Sequence, residues 1–139
     1  YTARDDGNID VRNRMSYWPW NFIPFTANLL GGCDSSTGKC RVVQQDETPA
    51  DDVINYQIMS TDYTSYSLVY NCRDYGGLFY INVAWFLSRE PTMTNAVYSQ
   101  LATKLTDEVP TYWNWFWRLF TWQGDVLCYG QPDYRSTNN

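Results

Sequence analysis

Apolar and polar positions alternate over short stretches of the first 90 residues, a pattern typical of half-buried β-strands. The polar turn at 5–8 contains Asp-Gly, one of the strongest short hairpin signals, and is followed by Ile9 and Val11 on one face. A second hairpin is predicted within 25–45, turning at 36–38. A third joins "NYQIMS" to "YSLVYNC" through "TDYTS". The sequence therefore predicts a series of antiparallel hairpins.

The segment "LFYINVAWFLSR", residues 78–89, predicts a long apolar strand after the turn "RDYGG". Alternation divides this strand into two faces. The bulkier and more apolar face is expected on the inside of the fold: Phe79, Ile81, Val83, Trp85, Leu87 and Arg89. The other face points outward or packs under a helix: Leu78, Tyr80, Asn82, Ala84, Phe86 and Ser88.

The period of the pattern changes after residue 90. "PTMTNAVYSQLATKLTDE" predicts a helix over about 91–108, with Pro91 near its first turn and Pro110 as its limit. Its apolar face, at helical spacing, consists of Met93, Ala96, Val97, Leu101 and Leu105. We expect this helix to pack on the sheet.

Many short strands and a single late helix predict an all-β fold, an antiparallel β-barrel or sandwich with one C-terminal helix packed outside. The 139 residues suit a single domain that buries a sizeable core. We assign the barrel strands to about 1–90, the helix to about 91–108, and a tail with one short strand to 109–139.

The composition narrows the class of function. Aromatic residues make up 18% of the chain, which argues against disorder, and the net charge of -5 gives no electrostatic reason to bind nucleic acid or an anionic membrane. No apolar run is long enough to cross a bilayer, and the polar N-terminus does not resemble a signal peptide. The chain has no histidine, the usual general base and metal ligand, so we expect neither a metal nor another cofactor.

The four cysteines are Cys33, Cys40, Cys72 and Cys128, and none belongs to a CxxC pair. Disulfide bonds are therefore favoured over a zinc or thioredoxin-like site, which indicates an oxidising compartment and a secreted protein. Cys33 and Cys40 flank the turn at 36–38 on opposite arms, so a disulfide bond across that hairpin is predicted.

Asp62, in "TDYTSYSLVYNC", raises the question of catalysis. The motif contains no histidine, lysine or second carboxylate that would give this acid a useful pKa. An aspartate in such a turn commonly accepts backbone hydrogen bonds, so we interpret Asp62 as a hairpin corner. The acid pairs at 5–6 and 51–52 lie in polar loops, and no phosphate loop or nucleophile elbow is present. We expect no enzymatic activity.

The segment "MSYWPWNFIPF" is interrupted by Pro19 and Pro24, which favours an apolar loop over a central strand. Its side chains pack against the core of the domain, or they form a ligand mouth or a partner surface. The residues concerned are Trp18, Trp20, Phe22, Ile23 and Phe25.

The order of these elements and the residues of their motifs resemble those of the lipocalins, in the branch that includes apolipoprotein D, insecticyanin and crustacyanin. Thr61, Asp62 and Tyr63 resemble the second signature of the family, at the closed end of an up-and-down barrel. Arg89 in "LSREP" resembles the third, an arginine that closes the barrel floor. The resemblance extends from residue 1 to about Cys128, and "YTARDDGNIDVRN" is similar to the second hairpin of this branch.

The resemblance also implies a departure, because the first strand of the family, with its Gly-x-Trp signature, is missing from this sequence. Cysteines at the positions of Cys72 and Cys128 bond in this branch to cysteines of that N-terminal segment. The resemblance therefore implies partners for them in a missing segment: the sequence is a fragment, a cleaved chain to which a disulfide-linked segment belongs, or one whose beginning was not determined. The alternatives are a Cys72–Cys128 bond or an intermolecular bridge.

An eight-stranded barrel of this family holds one small ligand, so the resemblance implies a secreted carrier of a hydrophobic small molecule. Trp85, Val83 and Ile81 are the expected wall of the cavity, and Tyr75 lies on its rim. The mouth consists of Trp18, Trp20, Phe22 and Phe25. A carotenoid such as astaxanthin is favoured over a bilin, whose propionates would favour cations at inward positions.

Three alternatives remain. The protein carries a bilin, a lipid or a fatty acid. Or it is an assembly subunit without ligand, in a homo- or hetero-oligomer joined through the Trp-rich surface of Trp113, Trp115, Trp117 and Trp122. The third is a lipocalin-type isomerase, which would need an activated thiol in the cavity, for which Cys72 is the candidate.

Overall fold

The computed structural model describes residues 1–15, 25–45, 47 and 54–112. Within these residues, seven antiparallel strands form one sheet in which each strand pairs with the next along the chain. The elements are β1 Thr2–Ala3, β2 Ile9–Met15, β3 Phe25–Asp34, β4 Lys39–Gln44, β5 Tyr56–Thr61, β6 Tyr66–Asp74, β7 Tyr80–Ser88 and α1 Asn95–Glu108. This meander followed by one helix confirms the predicted fold class.

The turn between β3 and β4 is stabilised by its own polar side chains. The carboxylate of Asp34 accepts hydrogen bonds from the Ser36 N–H (2.8 Å) and from the Thr37 hydroxyl (2.9 Å). Gly38 follows with φ +67°, and a Cβ there would lie 3.0 Å from the Ile58 carbonyl oxygen, so glycine is required. These contacts fix the register of the hairpin.

Cys33 and Cys40 are directly opposite each other in this register and form a disulfide bond. The bond predicted across the hairpin is therefore present. Cys72 is exposed and forms no disulfide bond with another described residue, and Cys128 lies outside the described residues.

Helix α1 packs on one face of β5–β7. The Thr94 hydroxyl caps its first turn by accepting a hydrogen bond from the Val97 N–H (3.4 Å). Leu101 and Leu105 are fully buried together with Leu68 of β6. The residues packed around these three leucines are Met59, Tyr66, Tyr70, Ala84, Phe86, Met93, Val97, Val109 and Tyr112. This cluster is the core between helix and sheet.

Two details of the predicted helix were wrong. It begins at Asn95 instead of near Pro91, because Thr94 is the residue in extended conformation whose side chain caps the first turn. Ala96, assigned to the apolar face, is exposed. Among the described residues, no helix is long and apolar enough to cross a membrane.

The packing of α1 identifies the face of β7 that lies under the helix. Ala84 and Phe86 contact the helix cluster, so the second of the two predicted faces of this strand lies beneath the helix. The first face, with Ile81, Val83 and Trp85, points to the opposite side of the sheet.

Candidate functional site

The side of the sheet opposite α1 is the inside of a curve. The hydroxyls of Tyr1, just before β1, and Tyr56, at the start of β5, lie 3.1 Å apart. In a flat sheet these two strands would be about 19 Å apart, which is more than two tyrosine side chains can bridge. The sheet therefore curls, and we call this side the concave face.

Trp85 belongs to the concave face because its ring stacks on that of Tyr56, with centroids 6.2 Å apart. Directly paired residues of antiparallel strands share a face, and Trp85 pairs with Val69. Val69 in turn pairs with Ile58 of β5. The concave face of β5–β7 is thus continuous and largely apolar.

The three residues predicted for the cavity wall lie together here. Ile81, Val83 and Trp85 occupy alternate positions of β7 and are 50%, 37% and 38% exposed, respectively. Val69, beside Trp85, is fully buried. Large apolar side chains that keep this much exposed surface on a concave face can bury a hydrophobic ligand.

Two neutral polar groups interrupt this apolar surface. Burial, and secondarily the hydroxyl of Tyr1, raise the pKa of Tyr56 far above its usual value, so its hydroxyl stays protonated. Asn71 pairs with Val83, and its side-chain oxygen Oδ1 is buried with no hydrogen-bond partner. Both groups can orient a ligand.

Tyr75 lies in the turn between β6 and β7, at one end of the sheet. Its ring stacks on Phe79 with centroids 4.9 Å apart, and the Arg73 guanidinium carbon lies 5.3 Å from its centre. Connections of a meander alternate between the two ends, so β2 ends and β3 begins at the Tyr75 end as well. This is the end at which the aromatic mouth was predicted.

The predicted mouth residues themselves lie largely outside the described part of the chain. Trp18, Trp20 and Phe22 belong to the undescribed segment, and only the backbone of Phe25, the first residue of β3, is described. The cluster of four tryptophans in the tail also lies outside the described residues.

The opposite end of the sheet carries the TDY turn. The Asp62 carboxylate accepts backbone hydrogen bonds from Thr64 (3.0 Å), Ser65 (2.7 Å) and Tyr66 (3.0 Å), and another from the Ser65 hydroxyl. These bonds, led by that of the Ser65 hydroxyl, hold the pKa of Asp62 well below its usual range. A carboxylate held in this way stays ionised and fixes the corner of the hairpin.

Arg89 joins β7 to the same turn. Its guanidinium donates a hydrogen bond to the carbonyl oxygen of Tyr63 (3.4 Å), and its backbone N–H donates to that of Ser65 (2.9 Å). Tyr63 has φ +64°, a left-handed conformation that is unfavourable for a tyrosine, and its side chain is 84% exposed. Arg89 thus fastens the end of the long strand to the strained corner.

The thiol considered for isomerase chemistry does not face the concave side. Cys72 alternates with Asn71 and pairs with Asn82 on the helix side of the sheet. Tyr70, two residues before Cys72, lies on the same side of the sheet. Burial is the largest of the effects that raise the pKa of Tyr70 to about 12. Among the described residues, no group of three or more His, Cys, Asp or Glu side chains could hold a metal ion.

Tyr56 and Asn71 are the site residues that sequence reasoning missed. A sequence signal for Asn71 was present, because this residue interrupts the apolar run "SLVYNC" on the same face of the strand as Val69. What alternation does not reveal is whether such an asparagine finds a partner inside the fold.

Comparisons with known proteins agree with this geometry. The profile of the Lipocalin / cytosolic fatty-acid binding protein family matches residues 36–108. Mouse (Mus musculus) apolipoprotein D is 37% identical over 109 residues, covering 76% of this chain and 54% of that protein. Apolipoprotein D of Rattus norvegicus is 37% identical over 51 residues, covering 37% of this chain and 27% of that protein. The chain spans about half the length, or less, of these relatives.

Solved structures show the same fold at low sequence identity. Lobster apocrustacyanin A1 superposes with a TM-score of 0.58 at 13% identity. Apocrustacyanin C1 gives a TM-score of 0.59, also at 13% identity. In both cases the match covers 76% of this chain and 56% of the other chain.

Proposed function

Because this chain belongs to the lipocalin / cytosolic fatty-acid binding protein family, we propose that it is a secreted protein that binds a hydrophobic small molecule on its concave face and catalyses no reaction. The observation that carries this proposal is the exposed apolar surface of Ile81, Val83 and Trp85. The other face of β5–β7 is covered by α1, so the concave face is the one with room for a ligand.

Binding would be driven by removal of apolar surface from water, at about 25 cal/mol per Å². The stacked pair of Trp85 and Tyr56 offers aromatic planes against which a long conjugated molecule can pack. The disulfide bond between Cys33 and Cys40 supports an oxidising, extracellular location.

A carotenoid such as astaxanthin is our preferred ligand. The polar groups of Tyr56 and Asn71 are neutral, which suits a ligand without charge. A bilin carries propionates that favour cations, and on the concave positions of β6 and β7 the charged residue is Arg73. Its guanidinium packs on Tyr75, close to the strand end. One cation near the strand end matches only one of the two propionates of a bilin, so the neutral groups deeper in the site favour the carotenoid.

The test is a titration of the intact protein with astaxanthin, followed by absorption of the pigment and its co-elution with protein on gel filtration. Trp85→Ala should weaken binding at least about tenfold, because truncation of a tryptophan that acts as a binding hot spot costs about 2 kcal/mol or more. Trp85→Phe, which keeps an aromatic plane, is the matched control and should weaken it less.

Biliverdin and palmitate, titrated in parallel, separate the other ligand classes. Tighter binding of either one would replace the carotenoid while keeping the carrier function. Failure of all three ligands to bind, together with self-association of the protein, would favour the assembly role instead.

A further inference from the structure

Asn71 places an amide in the middle of an apolar stretch of the concave face. It lies between Val69 and Arg73 on the same face of β6 and directly opposite Val83 of β7. It is three positions before Asp74, the end of β6, so it lies about 10 Å below the rim. Its position is therefore inside the proposed site and not at the entrance.

The oxygen Oδ1 of Asn71 is buried and, among the described residues, accepts no hydrogen bond. A buried polar atom without a partner destabilises a folded protein, and folded proteins rarely retain one without a reason. Oδ1 also lies on the side of the sheet where the ligand would bind. Asn71 as a whole is only partly buried, so rotation of its side chain can present Oδ1 to a ligand on that side.

We infer that Asn71 determines the specificity of the site, and that the preferred ligand is an apolar molecule carrying a neutral hydroxyl group that hydrogen-bonds to the Asn71 amide. This inference rests on the proposed function. A hydroxyl can donate to Oδ1, and it can equally accept from Nδ2 if the amide is rotated by half a turn. A hydrocarbon can do neither, so the site discriminates against it.

An ionised acid would bind elsewhere. Arg73 is two residues closer to the strand end, and its guanidinium packs on Tyr75 in the turn. A carboxylate would be drawn to Arg73 at the rim and would leave Asn71 uncovered or unpaired. The depth of Asn71 therefore favours a neutral hydroxyl over a charged head group.

Zeaxanthin and β-carotene are the probes for this inference, because they share one polyene skeleton and differ in the ring hydroxyl groups. Dissociation constants for both are measured with the wild-type protein, with Asn71→Leu and with Asn82→Leu. Asn82 is the matched control, since it lies on the neighbouring strand and faces the helix side of the sheet.

Wild type should prefer zeaxanthin about tenfold, the equivalent of about 1.4 kcal/mol for one net hydrogen bond. Asn71→Leu should reduce the preference to less than about twofold by weakening zeaxanthin binding, while β-carotene binds as well or better. Asn82→Leu should keep the wild-type preference. Asn71→Leu should also raise the melting temperature of the ligand-free protein, because it replaces the unpaired amide with an apolar group.

Equal binding of the two probes to wild type, or an unchanged preference in Asn71→Leu, would overturn the inference and leave the proposed function standing. If neither probe binds to wild type, the carotenoid proposal and this inference both fail. A lower melting temperature of Asn71→Leu would show that the amide has a structural partner, which also overturns it. The inference would also be overturned if palmitate bound more tightly than zeaxanthin and if Arg73→Gln abolished palmitate binding.

Discussion

Leu101 provides the sharpest test of the division between the two faces of the sheet. Its side chain is fully buried between α1 and the sheet, in contact with the cluster of Leu68 and Leu105. Leu101→Ala removes three carbon groups at about 0.8 kcal/mol each, or about 2.4 kcal/mol of transfer free energy. The cavity left behind adds to this, so we expect the free energy of unfolding to fall by about 3 kcal/mol.

This loss converts into a melting-temperature shift. The unfolding entropy is about 2.1 cal/mol/K per residue, or about 0.29 kcal/mol/K for 139 residues. A change of about 3 kcal/mol therefore lowers the melting temperature by about 10 °C, measured by circular dichroism. Leu78→Ala is the matched control because this leucine is 87% exposed, and its effect should stay within about 0.5 kcal/mol.

The same variant separates stability from binding. Leu101 lies on the helix side of the sheet, so Leu101→Ala should bind astaxanthin within about twofold of wild type at temperatures where it is folded. Trp85→Ala should show the reverse, with weak binding and a small change in melting temperature. The reasoning would be refuted if Leu101→Ala melted within about 3 °C of wild type, since α1 would then not be packed as described. If Leu101→Ala lost as much affinity for astaxanthin as Trp85→Ala, the separation of the two faces of the sheet would be refuted.

Two further changes test the turns. Because the pKa of Asp62 is depressed in the folded state, its carboxylate stabilises the fold above the unfolded pKa of about 3.9 and loses that contribution as the pH falls through the folded value. Asp62→Asn should therefore melt lower than wild type at pH 7 and lose less between pH 4 and pH 2; superimposable pH profiles would contradict this. The double variant Cys33→Ser/Cys40→Ser opens a short loop with a sequence separation of 7, so the free energy of unfolding should fall by about 2.5 kcal/mol. The fall is measured from the urea midpoint at equal m-value, and a fall below about 0.5 kcal/mol would contradict the prediction.

Local patterns in the sequence determined much of the fold. Alternation and turn residues predicted the hairpins around Gly7, Gly38 and the TDY corner, because these depend on contacts between residues a few positions apart. The disulfide between Cys33 and Cys40 follows from the same local geometry. The resemblance to lipocalins is confirmed by the family match over 36–108.

Which surfaces the elements share depends on contacts between residues that are far apart in the sequence. Alternation divided β7 into two faces, but the packing of Ala84 and Phe86 against α1 decided which face was covered. The curl that brings Tyr1 to Tyr56 arises from the whole sheet, so no short stretch encodes it. The start of α1 also depended on a contact, the Thr94 cap, which outweighed the preference of proline for a first turn. Asn71 stands out in the sequence as an interruption of an apolar run, but whether its side chain has a partner depends on neighbouring strands, so the role proposed for it could not be derived from the sequence.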